Sequence, residues 1–543
     1  MKELTPPTAS PQRGRAHFFA RLLGGRGVRR LVILSVWVVT LTALFYGEEN
    51  WRGRRVWNKY RQQLEERGEQ LDFRFFLPKP VADEQNFAAT PFVKSWFKRP
   101  QPASDDTIWQ DRFSQVQAMV PSPPSPGLKN TRQFLDLAAY QAAFENLGPA
   151  TSNRVVPVKK VPSGPLDAPS RGMAAQAVLK GLKETEGSFE ALRVARNRPH
   201  SAYPIVYDLD NPWGILLPHL KQVSVGCLRL RLKACAELAA GQPERALDDL
   251  KLLLTLGNSV KEEPMLISYL VRLACLEKAL QPLWEGLAER RWSEAQLSEL
   301  QRLFEQYDFV ADLKLGLNGE RAAGILTAEL LYRHKYNWDS LDTPGLPNPS
   351  GLSLGALIGR IAPHGWYYLE TFNYCRLYEL QISGTFDPRN KRVFPEEVER
   401  QHQAFEQERT GRNMGQTVRA ALHHQILASL LLPSVNNLLL KAAAGQTETE
   451  EAALACALER YRLANGHFPD QLESLTPKFA ASLPHDVITG EPYKYRRSGE
   501  GAFLLYSVGW NGKEDNGIPG KKLYDEKHGD WVWNSSPPGE RSP

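Results

Sequence analysis

The feature of this sequence most typical of an enzyme is a serine flanked by glycines. Residues 351–355, GLSLG, match the G-x-S-x-G pattern of a nucleophile elbow, and His364 follows as a candidate base. A nucleophile elbow places its serine between a strand and a helix of an α/β sheet. The preceding residues 347–350, PNPS, contain two prolines, which a central strand does not tolerate. We therefore interpret Ser353 as the N-cap of a helix over residues 354–361, and a serine hydrolase is an alternative function only.

Other standard catalytic motifs do not occur in the chain. It contains no Walker loop, no dinucleotide-binding fingerprint and no H-E-x-x-H motif. His423 and His424 are adjacent. On a helix, successive side chains point about 100° apart, so these two histidines do not line one face as a metal pair would. The motifs therefore favour a protein without catalytic activity.

The cysteines give no framework for disulfides or zinc. They are Cys227, Cys235, Cys275, Cys375 and Cys456. The set is odd and sparse, and no two cysteines have C-x-x-C spacing. All except Cys375 lie in apolar runs of helical character, so we expect buried free thiols.

An uncharged apolar stretch near the N-terminus determines how the rest of the chain is interpreted. Residues 31–46, LVILSVWVVTLTALFY, follow Arg29 and Arg30 and precede Glu48. A membrane-spanning helix takes roughly 17–25 residues, so we assign a short span to residues 31–47. The residues after the run are a poor cleavage site, which favours an uncleaved signal anchor. A cleaved signal peptide and a buried core helix are the alternatives.

The charges that flank this span bear on its orientation. The tail, residues 1–30, carries seven Lys and Arg, and residues 48–61 carry five. The positive-inside rule compares these two numbers, and they are nearly equal. A short tail before a signal-like segment, followed by a long chain, favours a cytoplasmic tail and an extracytoplasmic body. We expect a single-pass protein of the bacterial inner membrane, and a cytoplasmic body is the alternative.

Composition limits the class of partner. The chain has 543 residues, with 42% hydrophobic and 24% charged residues, as in ordinary globular proteins of several domains. Its net charge of +6 is uneven: residues 1–61 hold 12 Lys and Arg against 3 Asp and Glu, a net of +9, which leaves −3 for the rest. The basic excess therefore belongs to the membrane flank, and a nucleic-acid partner is not supported.

Between the span and the C-terminus we expect three regions. Residues 48–99 form a polar helical stalk and an extended aromatic segment, and residues 100–170 form a proline-rich loop region. The stretch DEQNFAATPF within the first of these resembles one found in large, uncharacterised, single-anchor bacterial membrane proteins. Residues 171–430 form a helical domain. Within it, residues 365–382 are rich in aromatic side chains and predict a helix buried between its neighbours.

The helical domain contains one clear helix pair. Residues 228–257 show apolar positions at helical spacing on both sides of a turn at Gly241, Gln242 and Pro243. This pair resembles a tetratricopeptide helix pair, but no 34-residue period repeats cleanly. A repeat array with a peptide-binding groove and an irregular helical domain both remain open.

The C-terminal region carries the most ordered set of motifs. They are Tyr461-Arg462-x-x-Asn465-Gly466, Phe468-Pro469, Leu472-x-x-Leu475, Leu483-Pro484-x-Asp486, Gly490-x-Pro492-Tyr493-x-Tyr495 and Leu505-Tyr506-Ser507-x-Gly509. Residues 492–496 and 503–507 alternate as two short strands around a Gly-containing turn, which predicts a hairpin. These motifs resemble the soluble domain of the major pseudopilin of type II secretion, a type IV pilin-like α+β fold. We assign this domain to residues 431–533, followed by a disordered tail, 534–543. Since the anchor lies far upstream without a processing motif, we expect the domain without the filament.

The resemblance also implies a metal. In the pseudopilins, the loop after the final strand holds calcium, and the corresponding oxygen donors here are Asn511, Asp515 and Asp530, with Asp525 in reserve. Lys513 occupies a position where an EF-hand requires an oxygen ligand, so the loop is not an EF-hand. The alternative is a solvated turn, in which Asn, Gly and Asp are common for conformational reasons. We expect no other cofactor.

These observations predict a mainly α protein with an N-terminal transmembrane helix, an irregular or tetratricopeptide-like helical body and a small C-terminal α+β domain. The function we expect is that of a membrane-anchored extracytoplasmic scaffold or protein-interaction protein without catalytic activity. Its partners would be proteins that bind the helical body or the pilin-like domain. An accessory component of a secretion or pilus-like machine is the first alternative, and the serine hydrolase is the second.

Overall fold

The computed structural model of the chain describes residues 25–97, 113–120, 132–147, 168–183, 186–335, 362–409, 423–432, 435–499, 501–521 and 525–534. These residues are mostly helical, with a long apolar helix at the N-terminus and small sheets toward the C-terminus, which confirms the mainly α class. Ser353 and most of the proline-rich region lie outside the described residues.

The longer elements are numbered in chain order. The helices are α1 (Gly25–Glu66), α2 (Pro91–Ser95), α3 (Leu137–Leu147), α4 (Ala168–Leu182), α5 (Glu186–Ala195), α6 (Pro218–Ala239), α7 (Pro243–Asn258), α8 (Leu266–Ala288), α9 (Glu294–Glu305), α10 (Phe309–Tyr332), α11 (His364–Ile382), α12 (Pro395–Glu408), α13 (Ile426–Leu431) and α14 (Asn436–Asn465). The strands are β1 (Phe386–Asp387), β2 (Arg392–Val393), β3 (Lys494–Ser498), β4 (Ala502–Ser507) and β5 (Trp531–Asn534).

Helix α1 joins the apolar stretch and the stalk without a break. It has 42 residues and is therefore about 63 Å long. Its apolar part is exposed throughout, and within the described residues it is the one helix long and apolar enough to cross a membrane. The helix continues past Glu48 because the following residues include many Arg, Gln and Glu, which are strong helix formers.

The segment after the stalk packs several of its aromatic residues on the body. It consists of short 3₁₀ turns and helix α2, which begins at Pro91 with Thr90 as its N-cap. Phe73, Phe87 and Val93 are almost completely buried. The segment therefore belongs to the folded body although it contains little regular structure.

The predicted helix pair is present as α6 and α7. The turn between them contains Gly241 with φ of 75°, and Pro243 occupies the first turn of α7. Helix α6 begins at Pro218, ten residues before the start that the apolar periodicity indicated. Helix α8 packs on both α6 and α7. These three helices form a layered unit, while the repeat interpretation remains a prediction.

Helices α10 and α11 run antiparallel and hold the aromatic cluster of the body. Tyr374 and Tyr378 of α11 are completely buried. Their hydroxyls donate to the backbone carbonyls of Glu320 and Leu317 on α10, at 3.1 and 2.7 Å. The aromatic helix is therefore buried between neighbours, as expected from its composition, and each tyrosine satisfies its polar end.

The C-terminal sheet lies at the end of α14. Strands β3 and β4 form the predicted hairpin, and β5 adds a third antiparallel strand that was not predicted. Helix α14 packs against α8, α9 and α10 as well as against β4 and β5. One continuous hydrophobic core therefore extends from Trp57 of the stalk to Trp533 of the sheet. The domain boundaries at 430 and 431 remain a prediction.

Candidate functional site

The structure brings the three predicted metal ligands together in the loop before β5. Asn511 donates from Nδ2 to Oδ2 of Asp515 at 3.0 Å, and the same oxygen accepts the backbone N–H of Gly529 at 2.9 Å. Asp530 is completely buried. Its two carboxylate oxygens accept the backbone N–H groups of Asp515 and Gly517, at 3.2 and 2.6 Å. The side chains that the pseudopilin resemblance implied are thus adjacent, and they hold the loop in shape.

The electrostatics of this loop bear on whether it can hold calcium. Burial raises the pKa of Asp530 to about 6, and the nearby charges of Glu514 and Asp515 add to the shift. A divalent cation would relieve this repulsion, and the oxygen donors match the chemistry of calcium. The described residues contain no group of three His, Cys, Asp or Glu side chains arranged for a metal, so part of the coordination would come from Asn511 and from backbone carbonyls. Calcium binding remains a prediction.

The other candidate residues do not form a catalytic group in the described parts of the chain. Ser353 lies outside them. His364 is exposed at the start of α11, where its ring contacts Tyr332. The backbone carbonyls of His423 and His424 accept hydrogen bonds from the side-chain amide of Asn373. All five cysteines are free and buried; burial was expected for the four that lie in apolar runs, and Cys375 is buried as well.

Sequence reasoning missed a buried polar cluster around His219. The imidazole Nε2 lies 2.7 Å from Oε1 of Glu263, and Ser268 donates its hydroxyl hydrogen to the other oxygen of that carboxylate. The His219 ring stacks on Tyr203 with centroids 4.2 Å apart. A catalytic triad needs the histidine between the serine and the carboxylate. Here the carboxylate occupies the middle position, so the cluster is arranged for packing and not for nucleophilic attack.

The sequence also did not indicate the packing junction between α1 and the body. A Cβ on Gly53 would lie 2.1 Å from the carbonyl oxygen of Gly365, so the two helix backbones touch. The backbone N–H of Gly365 donates to Oδ1 of Asn50 at 2.7 Å, and Trp366 donates from Nε1 to Glu49 at 2.9 Å. No local pattern could reveal this junction, because its two sides are separated by more than 300 residues.

The same two helices stay together along the stalk. Glu379 of α11 accepts hydrogen bonds from the hydroxyl of Tyr60 and from Arg67, both at 2.5 Å. Contacts at Gly365 near the start of α11 and at Glu379 near its end show that α11 runs parallel to α1. The first turn of α11 therefore lies beside the end of the apolar stretch, and its last turn lies beside the end of the stalk.

An open cleft lies between the stalk and the body. It has a volume of about 590 Å³ and is lined by residues of α1, α10, α11 and the segment around Phe73. Its lining contains three arginines, and each is paired with a carboxylate. The pairs are Arg61 with Glu65, Arg74 with Asp72, and Arg333 with Glu329. Because these charges compensate one another, the cleft does not favour a strongly charged small ligand.

A small apolar cluster beside this cleft reaches the surface. Phe73 and two alanines of α10 form its buried centre, and Phe76, Tyr207 and Ile215 pack against them. The immediate chain neighbours of these three residues are exposed large apolar side chains: Phe75 is 65% exposed, Val206 82% and Leu216 81%. Single exposed apolar residues are common, and these three are grouped here because the segments that carry them pack on one cluster. We call Phe75, Val206 and Leu216 the apolar patch.

The chain was compared with protein families, with curated proteins and with solved structures. No family model, no curated protein and no solved structure matches it.

Proposed function

We propose that this chain is a membrane-anchored, extracytoplasmic scaffold or protein-interaction protein without catalytic activity of its own. The observation that carries the proposal is the apolar patch on a body packed directly against the membrane helix. Exposed apolar side chains in water lower solubility unless another molecule covers them. A folded partner that buries Val206 and Leu216 would supply this cover. The backbone contact at Gly53 and Gly365 would hold that partner at a constant position relative to the bilayer.

Several features support an interaction role over a small-molecule role. The stalk cleft has compensated charges, and the polar cluster at His219 is closed to solvent. The apolar patch lies on the surface and belongs to irregular segments that are tied to α10. Trp213, for example, donates from Nε1 to the hydroxyl of Thr327 at 2.8 Å. Loops supported by a rigid scaffold are a common place for binding residues.

A photo-crosslinking experiment in intact cells tests this function. A benzophenone amino acid replaces Val206 or Leu216 in the full chain, and Met173 serves as the matched control. Met173 is similarly exposed, at 67%, but lies on α4 outside the cluster. We expect one common adduct from Val206 and Leu216 and no such adduct from Met173. Identical adduct patterns from all three positions would contradict a specific docking surface.

A pair of matched substitutions separates binding from folding. Val206→Ser with Leu216→Ser removes two exposed apolar side chains and should abolish the adduct formed through Phe75 without changing thermal stability. Met173→Ser should leave the adduct unchanged. Exposed substitutions change stability by only about 0.5 kcal/mol, so loss of the adduct would report binding. An undiminished adduct in the double variant would refute the role of the patch.

A second candidate function is an accessory role in a secretion or pilus-like machine. It is favoured by the C-terminal module, in which α14 lies on an antiparallel sheet, together with the pseudopilin-like motifs. Ile518, in the loop before β5, is an exposed apolar residue of this module, at 65%. Crosslinking through Ile518 distinguishes the two roles: an adduct from Ile518 alone favours docking by the module, and adducts from Val206 and Leu216 favour docking by the body.

A further inference from the structure

The end of the body nearest the apolar part of α1 combines aromatic rings with arginines. We propose that this end docks on the headgroups of anionic phospholipids in the same bilayer that α1 crosses. We call it the membrane-facing end and define it by Trp51, Arg54, Arg55, His334, His364 and Tyr368. This inference rests on the proposed membrane anchor and adds to it a partner of stated chemistry, the anionic lipid surface.

The position of the body relative to the bilayer follows from α1. Glu48 is the first charged residue after the apolar stretch, so the hydrocarbon core ends near Gly47. The body begins almost at once: Glu49 is 8% exposed and is covered by Trp366 and Arg52. Two residues of helix rise by about 3 Å. Each headgroup layer is roughly 5–8 Å thick, so the first body contacts lie within it.

The directions of the neighbouring helices place further residues at the same level. Because α11 runs parallel to α1, its first residue, His364, points toward the bilayer. Helix α10 runs antiparallel to α11, so its C-terminal end also points there. The ring of Tyr332 at that end packs against the ring of His364, with centroids 4.9 Å apart. The exposed residues Arg333 and His334 follow Tyr332 directly. The start of α11 and the end of α10 therefore lie at the level where α1 leaves its apolar stretch.

The arginines of α1 are held by aromatic rings. The guanidinium of Arg54 lies 5.9 Å from the ring centroid of Tyr368, and that of Arg55 lies 5.1 Å from the centroid of Trp51. Side chains on a helix tilt toward its N-terminus, which here means toward the bilayer. Aromatic residues with arginine are enriched at the membrane–water interface because their rings and charges suit the headgroup layer. These two pairs have that composition. The Cα atoms of Arg54 and Arg55 lie about 10–12 Å beyond Gly47 along the helix, and their side chains extend back toward the headgroup layer.

The charge balance of the membrane-facing end favours anionic lipids. Three basic side chains are neutralised by carboxylates: Arg52 by Glu49, Arg333 by Glu329, and Lys335 by Asp210. Among the residues that the structure describes, Arg54 and Arg55 form no salt bridge. They therefore leave a positive surplus against the exposed Glu48. The attraction between an anionic leaflet and each such arginine corresponds to roughly a fivefold change in the ratio of docked to undocked protein.

A depth measurement on the full chain in vesicles tests the proposal. A fluorophore is attached at His364→Cys on the membrane-facing end or at Arg389→Cys, which lies beyond the far end of α11. Helix α11 has 19 residues, and its first and last Cα atoms are therefore about 27 Å apart. Since all five native cysteines are buried, a thiol-specific dye selects the new one. The quencher is a phosphatidylcholine with a nitroxide on its headgroup.

The expected result has three parts. In phosphatidylglycerol-containing vesicles the dye at residue 364 is quenched and the dye at residue 389 is not. In pure phosphatidylcholine vesicles the quenching at residue 364 decreases. Arg54→Gln with Arg55→Gln lowers the ratio of docked to undocked protein by roughly tenfold or more. The matched control, Lys59→Gln with Arg61→Gln, makes the same charge change one to two turns farther along α1 and leaves the quenching unchanged.

Each contrary outcome has a separate meaning. Flotation of the chain with vesicles after a carbonate wash first reports whether α1 is inserted. A chain that fails to float refutes the anchor, and with it the docking. An inserted chain with equal quenching at residues 364 and 389 refutes the docking alone. Equal quenching at residue 364 in the two kinds of vesicle, or an unchanged Arg54 and Arg55 variant, overturns the anionic lipid as partner.

Discussion

Gly53 of α1 lies directly against the backbone of Gly365 of α11, where the long apolar helix meets the body. A Cβ added at Gly53 would lie 2.1 Å from the carbonyl oxygen of Gly365, and one added at Gly365 would lie 1.9 Å from that of Glu49. Backbones can approach this closely only where neither residue has a side chain. The body is therefore attached to the end of the apolar helix by direct backbone packing and not by a flexible linker.

Gly53→Ala is expected to destabilise this junction. The new methyl group would force α1 and α11 apart, and overpacking of this kind lowers the free energy of unfolding by about 1–3 kcal/mol. Gly47→Ala is the matched control, because the site has no atom within 4 Å of the added Cβ and lies on the same helix. Thermal unfolding in detergent measures both. A stability of Gly53→Ala equal to that of Gly47→Ala would contradict the close packing.

The buried carboxyl of Glu370 should make the free energy of unfolding depend on pH. Its carboxyl is 4% exposed and accepts the backbone N–H of Leu427 at 2.8 Å, and burial raises its pKa from 4.5 to about 8. The pKa of this carboxyl is higher in the folded chain than in the unfolded chain, so its protonated form favours folding. Its contribution to the free energy of unfolding is therefore complete below pH 4.5 and is lost as pH rises through about 8. Glu370→Gln keeps the acceptor without the charge and should remove this loss.

Denaturant unfolding at pH 5 and pH 9 measures that effect. At pH 9 the Glu370→Gln variant should be more stable than the native protein by about 1–3 kcal/mol, the range for a buried polar group without full compensation. At pH 5 the difference should be much smaller. The exposed Glu399→Gln serves as control and should follow the native curve. Parallel curves for Glu370→Gln and the native protein would show that this carboxyl does not titrate in the fold.

The loop of Asn511, Asp515 and Asp530 predicts stabilisation by calcium. Calcium that binds the folded loop raises the melting temperature by mass action. Since burial raises the pKa of Asp530 to about 6, the effect should be present at pH 7.5 and decrease as pH falls below 6. Asp530→Asn should abolish it. Melting curves of the full chain that coincide in millimolar calcium and in chelator would identify the loop as a plain turn.

We predict that Ser353 does not react as the nucleophile of a serine hydrolase. We expect a fluorophosphonate probe to leave the native chain unlabelled, because the residues before Ser353 are unsuited to the strand of a nucleophile elbow. The measurement is in-gel fluorescence of the native protein beside Ser353→Ala. Labelling that disappears in Ser353→Ala would establish a serine hydrolase and refute the purely non-enzymatic role.

Local patterns in the sequence account well for elements formed by neighbouring residues. The α6–α7 pair follows from helical periodicity on both sides of Pro243, and the β3–β4 hairpin follows from alternation around a turn. Strand β5 was missed because its four residues follow a polar loop, and only pairing with β4 makes them a strand. Its register, with Trp533 opposite Leu505, depends on a tertiary contact that no local window contains.

In the candidate sites, too, features within one loop could be predicted from the sequence and contacts between distant segments could not. The adjacency of Asn511, Asp515 and Asp530 was accessible from the sequence because they lie in one loop. The burial of Asp530 was not, since it depends on how the loop folds against the sheet. The junction at Gly53 and Gly365 was equally inaccessible, because a single glycine in each helix gives no periodic signal. Contacts between distant segments therefore set both the charge state of the loop and the attachment of the body.

Topology is the most direct test of a membrane-anchored extracytoplasmic protein. Alkaline phosphatase, which is active only outside the cytoplasm, and a reporter that is active only inside it are each fused after residue 543 of the full chain. We predict an active phosphatase fusion in the membrane fraction and a silent cytoplasmic reporter. An active cytoplasmic reporter with a silent phosphatase would place the body inside the cell and contradict the account.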